Sequence, residues 1–433
     1  MPRGLSAEIQ TAIAANTVRP VYLVYIDFVG YTFRTWSGEG DLSYNSQTWS
    51  GNGHLQALPD IPESGSLVAQ PLTLQLTGKP DTLVDLSDPA VYQGKTCQVF
   101  VGFLDSLGSL PANRVYQVFG GTVSQVTFSS DAQRETWTVT VESRLVDLQR
   151  VKPARWTHEE QRSRYPLDNG LLYSSRARTS LAIFRESDVP PPGTRKIIYG
   201  QRRVATDIVF AATSGTGSRY LNLVCAIADH ECEDIVQLYL DDRQVLSGGV
   251  VSGDFVGFVD YYERLGSDTQ TYIPELETEV GTSIWDSTCR LRGVTYIYLR
   301  LLSSEELFGD AVPLVEVEVK GKKLYDPRTT TTVYSVNPAL AVRDYLLAES
   351  GFGASSNEID DIAIAAAANV CDSIVNTISG TEAKYTINGV IDSAERIGSN
   401  LQSIINTFFG KIIYTGGKFT LTAGLTLPAP KGG

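Results

Sequence analysis

Residues able to do chemistry are few in this chain. Histidine, the side chain whose ordinary pKa lies nearest neutrality, occurs three times, at His54, His158 and His230. General acid–base work therefore has few candidates. The tripeptide His230-Glu231-Cys232 puts potential metal ligands side by side, but a metal site needs further ligands at a workable spacing, and no partner pair follows. A structural or surface role is expected for it. The cysteines, Cys97, Cys225, Cys232, Cys289 and Cys371, are odd in number, widely spread and free of any CxxC, which predicts buried thiols rather than a disulfide scaffold or a cluster site. Asp360 and Asp361 are adjacent at a predicted helix start, where the helix dipole favours acidic side chains. SGTGSR (residues 214–219) matches neither a P-loop nor a dinucleotide fingerprint. No nucleophile, base and stabilising group converge. The expectation is a protein that is not an enzyme and that uses no cofactor and no metal.

One cluster points elsewhere. Arg144, Arg150, Lys152, Arg155, Arg162 and Arg164 accompany Trp156 and Tyr165, the mixture of cations and aromatics found in single-strand binders. The whole chain nevertheless carries 36 basic against 49 acidic residues, net −13, and would repel a polyphosphate. Ion pairs with an acidic neighbouring subunit or domain are the expected use of these cations. The acidic balance also suits a surface past which DNA slides without sticking.

The elements that must hold these residues are mostly strands. At 433 residues, with 42% apolar and 20% charged residues, the chain has the composition of a folded globular protein of about three domains. Its first residues lack an apolar run of signal-peptide type and no segment elsewhere has the roughly 18 apolar residues of a spanning helix, so the expected place of synthesis and residence is the cytosol, without membrane insertion. Residues 1–150 read as a β-barrel or sandwich: PVYLVYIDF, KTCQVFVGFL, VYQVFGGTVSQVTF and ETWTVTVES are rich in β-branched and aromatic residues. In the last of these Trp137, Val139 and Val141 alternate with Thr136, Thr138 and Thr140, one apolar face at period two. SGNG (50–53) and Gly120-Gly121 are predicted turns. Residues 151–192 form an Arg-rich connector ending in Pro190, Pro191 and Pro192, which cannot continue a helix or a central strand. Residues 193–335 predict a second β-rich block, with Val315, Val317 and Val319 inward and Glu316, Glu318 and Lys320 towards solvent. Residues 336–433 predict an α+β part. Asn337-Pro338 opens one helix ending near Gly351. Ser355 with Glu358, and Asp392 with Glu395, have capping-box spacing ahead of two more, the last with Ile397, Leu401, Ile404, Ile405 and Phe408 on one face. KIIYT and KFTLT around Gly416-Gly417 predict a hairpin.

Longer strings carry a resemblance. IIYGQRRVATDIVF, RYLNLVCAIADHECEDIVQLYLDD, VTYIYLRLL, VEVEVKGKKLYDPR, SVNPALAVRDYLL, GFG, EIDD and AAANVCD follow one another over about residues 193–425. Together they resemble the hub portion of the lambda-like host-specificity (J) proteins, which cap the tail tube of long-tailed phages. TWSGEGDLSYNSQTWSGNGHL, ALPDIPESG and RWTHEEQRSRYPLDNGLLY resemble the baseplate hub proteins of siphophages and gene transfer agents. Many of those hubs carry a cysteine-ligated iron–sulfur cluster, and this chain lacks the cysteine group, so no cluster is carried over. J-type proteins continue into further β domains beyond the position of KFTLTAGLTLPAP, so the chain is expected to be either a shorter hub with separate fibre proteins or part of a longer product.

The resemblance implies a multi-domain, mainly β fold with tail-tube-like barrel domains, two per subunit. It implies a homotrimeric ring that adapts a sixfold tube to a threefold tip, in a virion assembled in the bacterial host cytoplasm. Its implied partners are the distal tail protein, the C-terminus of the tape-measure protein, other tail-tip and fibre proteins, and genomic DNA in transit. Asp241, Asp242, Asp260 and Glu263 are the acidic residues expected to face the lumen of such a ring. A carbohydrate-binding adhesin of the tail tip is the alternative, with Trp36, Trp49 and Tyr44 as sugar-stacking residues; the same three residues are otherwise expected to fill a β core.

Overall fold

The structure is a computed structural model; it describes residues 5–58, 60–61, 69, 71–77, 88–130, 135–174, 193–309, 311–378 and 380–424. Pro190–Pro192, the later part of the Arg-rich connector and residues 62–65 of ALPDIPESG lie outside the described residues. Strands dominate, in several separate sheets, so the chain is mainly β and multi-domain. Where the sequence reading divided the chain into four segments, contacts group it into two compact units.

The first unit comprises Met1–Gln149, Ser355–Asp360 and Ile412–Leu421. After helix α1 (Ala7–Ile13) come strands β1 (Pro20–Phe28), β2 (Tyr31–Trp36), β3 (Glu39–Tyr44), β4 (Gln47–Asn52), β5 (Leu55–Ala57) and β6 (Leu72–Thr77). They are followed by helix α2 (Pro89–Tyr92), β7 (Thr96–Phe103), β8 (Val115–Ser130) and β9 (Glu135–Ser143). All nine strands join one sheet in the order β3-β4-β2-β1-β7-β8-β9-β6-β5, open at β3 and β5, a half-barrel. Alternation decides which side chains are covered. Trp137, Val139 and Val141 of β9 are buried with Leu72, Leu74 and Leu76 of β6, as the period-two reading requires. Strand β1 feeds both faces: Val24, Ile26 and Phe28 join that core, whereas Val21 and Leu23 join Trp36, Leu42, Trp49 and Leu110 in a second one. Trp36 and Trp49 are thus interior, and Tyr44, half-buried, lies with its ring centroid 6.1 Å from that of Trp49.

Gly120-Gly121 is not a turn. Strand β8 runs through it for 16 residues, and a Cβ on Gly121 would stand 2.2 Å from the Glu142 carbonyl oxygen of β9. The glycine marks a close approach of two backbones. The Gly416-Gly417 turn is as expected: φ of +59° and +72° at the two glycines closes the hairpin between β25 (Lys411–Thr415) and β26 (Lys418–Thr422), against Tyr116 and Gln117.

The second unit holds Arg150–Ala354, Asp361–Lys411 and Thr422–Gly433. Its strands are β10 (Lys196–Tyr199), β11 (Gln201–Ala205), β12 (Asp207–Ser214), β13 (Tyr220–Ala228), β14 (Cys232–Leu240), β15 (Arg243–Gln244), β16 (Leu246–Ser247), β17 (Val250–Val251), β18 (Val259–Leu265), β19 (Thr295–Leu302), β20 (Val315–Asp326), β21 (Thr331–Tyr334), β22 (Ile374–Thr377), β23 (Gly380–Ala383) and β24 (Gly389–Asp392). Two sheets pack face to face: β11-β20-β14-β15, with β21 on the far end of β20, and β12-β13-β19-β18. Val204, Ile235, Leu238, Val317 and Val319 from one meet Leu223, Cys225, Ile297 and Leu299 from the other. The second sheet is covered on its outer face too, by Trp156, Leu171, Ile273, Leu276 and Trp285, packed on Val224, Ala226, Tyr296 and Tyr298. That double burial explains the continuous apolar stretches Leu223–Ala228 of β13 and Tyr296–Leu299 of β19. Val315, Val317 and Val319 are buried; Glu316 and Glu318 are half-buried and engaged by Arg203 and Gln201 rather than left to solvent.

Helices α3 (His158–Arg164), α4 (Pro274–Val280), α5 (Glu305–Phe308), α6 (Pro338–Leu347), α7 (Asp361–Cys371) and α8 (Ile397–Asn406) complete the unit. Asn337 caps α6 by accepting from the Ala339 and Leu340 N–H groups. The other two capping boxes differ from expectation. Ser355 and Glu358 do form a box, but on a separate 3-10 turn, because Ile359 returns to extended backbone before α7 starts at Asp361. Asp392 ends β24 and accepts from Ala394 N–H, while α8 begins after Arg396 with no side-chain cap. The apolar face of α8 still holds, with Ile397, Leu401, Ile404 and Ile405 buried, and Phe408, just past the end of the helix, is buried as well.

Candidate functional site

The four acidic residues expected to share a surface are placed in two local settings. Asp241 and Asp242 form the two-residue turn between β14 and β15, both at positive φ, the geometry that Asp tolerates better than most residues. The Asp241 carboxylate accepts the Leu314 N–H at 2.9 Å, and Asp242 pairs with Arg203, which also holds Glu316. Asp260 and Glu263 stand on β18, an end strand of its sheet. Being three apart, they leave opposite faces of the strand. Asp260 meets Arg300 at 2.8 Å, across from it in the register, whereas Glu263 accepts the Tyr261 hydroxyl on the face packed against the inter-sheet core. Burial, then the Glu263 charge, pushes the Tyr261 phenol far up. Asp242 and Asp260 keep exposed carboxylates, 82% and 48%.

A denser polar arrangement, not foreseen from sequence, lies around the start of β10. Arg195 and Asp229 pair at 2.5 Å, with 2% and 4% of their side chains exposed, and Arg164 of α3 reaches the second Asp229 oxygen at 2.7 Å. The Arg195 guanidinium also donates to the Arg155 carbonyl and to Gln161, and lies 4.9 Å from the Trp156 ring centroid. Gln161, fully buried, donates to Asp168 at 3.0 Å. Asp168 in turn accepts the main-chain N–H groups of Gly170, Arg290, Leu291 and Arg292. The sequence signal for Asp168 was its Asp-Asn-Gly context, which reads as a turn; nothing local signalled that the turn gathers a distant loop. Asp229 and Arg195 carried no signal beyond being charges beside apolar strands.

Several members of the basic cluster find partners within their own unit. Lys152 donates to the carbonyls of Glu349, Gly351 and Phe352 just past α6, where a cation suits the helix dipole. Arg162 donates to the Pro166 carbonyl, Trp156 to Asp207, and Tyr165 to Asp268, with burial and that contact pushing the Tyr165 phenol up to about 12. In the first unit Arg144 faces Glu358 at 3.4 Å.

Arg164, Tyr165, Asp229, His230, Glu231, Gly266, Asp268 and Gly293 line a cleft of about 210 Å³. His230 is structural within it: Nε2 accepts the Ile198 N–H at 3.0 Å and Nδ1 donates to the Glu231 carbonyl at 2.9 Å, so main chain occupies both ring nitrogens. Burial pushes its imidazole down to about 4, and Lys322 adds to the effect. The thiols are all buried; burial drives Cys97, Cys225 and Cys232 up to about 12, and Cys289 and Cys371 up to about 11. Such thiols are poor nucleophiles and poor ligands at neutral pH. Among the described residues no three His, Cys, Asp or Glu side chains gather as a metal-binding group, and no helix is long and apolar enough to cross a membrane.

No protein-family model and no curated protein matches the chain. Among solved structures, a chain of the "Virion of native gene transfer agent (GTA) particle" aligns at 16% identity with a TM-score of 0.32, over 58% of this chain and 56% of that one. The chain thus spans little more than half the length of that neighbour, at a similarity too low to define its fold or its function.

Proposed function

We propose that this protein is a structural hub of a phage-type tail tip, three copies closing a ring around the path of the DNA. The observation that carries the reading is the succession, in one chain, of two separately cored β units whose sheets end in strands with no further partner among the described residues: β3 and β5 in the first, and β12, β18, β11 and β15 in the second. Three chains with two such units each supply six β modules around a threefold axis, and unpaired strand edges are the natural sites of association between chains. The hub-like strings supply the ordered strands and helices of the second unit, from β10 to α7.

The role is non-enzymatic: the groups best suited to chemistry, His230, Asp168, Asp229 and the thiols, are tied to main chain, to ion pairs or into the cores. In the ring, Asp242 and Asp260 keep acid on the surface and oppose adhesion of DNA phosphates, with Asp241 and Glu263 in supporting positions. Distal tail and tape-measure proteins are the partners on the tube side, and fibre proteins those below. The adhesin alternative loses two of its three stacking residues, because Trp36 and Trp49 are interior. Imaging of particles tests the proposal: threefold density at the end of the tail tube, with this chain in it, is the expected result. A purified chain that stays monomeric at high concentration and is absent from particles overturns it.

A further inference from the structure

We propose that Asn52-Gly53 is a self-modification site, at which the folded chain closes a succinimide that water opens to aspartate or isoaspartate, while the fold protects the other two Asn-Gly pairs. The inference stands apart from the ring reading and does not depend on it.

Asn-Gly occurs three times in the sequence, at Asn52-Gly53, Asn169-Gly170 and Asn388-Gly389. In such a pair the glycine nitrogen attacks the carbonyl carbon of the asparagine side chain, and the lack of a Cβ on glycine leaves that approach unobstructed. A nitrogen–carbon bond forms, the bond to the side-chain amide nitrogen breaks, and the glycine N–H proton departs with that nitrogen as ammonia. Water then opens the five-membered imide at either carbonyl, with no change of oxidation state. The step needs a glycine N–H without an acceptor, an asparagine amide free to swing, and a backbone able to turn about the asparagine.

The first pair meets all three requirements. SGNG (50–53), read as a turn from sequence, is the end of strand β4, whose last residue is Asn52, with Gly53 just beyond it at φ +74°. Both residues are exposed, and a Cβ on Gly53 would meet nothing within 4 Å. Among the described residues, neither the Asn52 side-chain amide nor the Gly53 N–H has a hydrogen-bond partner. The Gly53 carbonyl accepts the Thr77 hydroxyl at 2.6 Å, so the nucleophilic nitrogen is placed but not occupied. Turning about Asn52 frays only the last rung of the β3–β4 ladder, Glu39 with Asn52. The product adds a negative charge there, beside the end strand β3.

The other pairs are held. Asn169 donates from its amide to the Thr288 hydroxyl at 2.9 Å, and the Gly170 N–H donates to the Asp168 carboxylate at 3.0 Å. Electrophile and nucleophile are both tied, with Gly170 buried against Leu291. The Asn388 side-chain carbonyl accepts the Gln201 N–H at 2.8 Å, and Gly389 is laddered with Tyr199. Reaction at either pair requires a local opening first.

The test ages the full-length protein in mildly alkaline buffer, folded and in urea, and follows the three peptides by mass and by isoaspartyl methyltransferase labelling. In urea the three pairs should convert at comparable rates. In the folded chain Asn52 should stay within a few-fold of its urea rate. Asn169 and Asn388 should slow by at least about tenfold, the factor that an opening cost of about 1.4 kcal/mol produces. Slowing of Asn52 by that factor, or conversion of Asn169 or Asn388 as fast as Asn52 in the folded chain, overturns the proposal. Asn52→Ser removes the reactive amide at an exposed position and should abolish the main isoaspartate signal of the folded chain; an undiminished signal also overturns it.

Discussion

Arg195 and Asp229 oppose each other at 2.5 Å in a setting where neither side chain exposes more than 4%. Residues from α3, the connector and the start of β10 converge on this pair, through Arg164, Arg155, Gln161 and Trp156. The pair is therefore the point at which the connector is fastened to the two-sheet body, and its energetics can be measured.

Truncating one partner leaves the other charged and desolvated. Asp229→Ala should destabilise the second unit by roughly 3–5 kcal/mol, read as a shift in its denaturant midpoint with little change in slope. The double variant Arg195→Met, Asp229→Leu should cost clearly less than the sum of the single changes, because it leaves no buried charge. Strict additivity of the two would contradict the picture of a coupled pair.

Asp168 binds the 290–292 loop through main-chain N–H groups. Asp168→Asn keeps the shape but replaces one acceptor oxygen with a donor aimed at N–H groups. A loss of about 2–4 kcal/mol is expected, together with faster amide exchange at Leu291 and Arg292. Unchanged exchange there would show that the loop is held by other contacts.

His230 makes stability depend on pH. Its imidazole is held at about 4 in the folded chain, below its usual 6.5, so the unfolded chain binds the proton more tightly. The contribution is present in full above about 6.5 and is lost as pH falls towards about 4, a difference of roughly 3 kcal/mol. The fall in unfolding free energy between those limits should be largely removed in His230→Gln, whose amide can still accept from Ile198. An unchanged slope in the variant would assign the dependence to carboxylates instead.

Gly121→Ala should lower the stability of the first unit by about 1–3 kcal/mol, since a Cβ there meets the Glu142 carbonyl at 2.2 Å. The same change at Gly389, where φ is not positive and nothing lies within 4 Å of the added Cβ, should leave the stability of the second unit unchanged or raise it by up to about 1 kcal/mol. Equal losses at the two positions would count against steric contact between β8 and β9 as the cause.

Local pattern was enough for every element whose burial follows from its own side chains. The alternation in β9 and β20, the Asn337 cap, the apolar face of α8 and the Gly416-Gly417 hairpin depend on contacts a few residues apart or on a single buried face, and these were legible in order and type. Where a signal had two physical readings, the sequence did not choose between them. A glycine pair serves a turn or a close approach of strands, and β8 uses the second; Asp392 and Glu395 have the spacing of a helix cap, yet Asp392 ends a strand and α8 starts without a side-chain cap.

What only the tertiary structure decided is how charge is spent. A net charge of −13 and a cluster of arginines were plain in composition, yet Arg164 and Arg195 find Asp229 across 65 and 34 residues of chain, and Asp168 finds Leu291 across 123. An ion's partner is set by which strands stack on which, and pairing through space leaves no periodic trace in the sequence. Strand and helix type are encoded locally because backbone preference and one-sided burial act over a few residues; the buried network is not, because it exists only once two sheets have closed on each other.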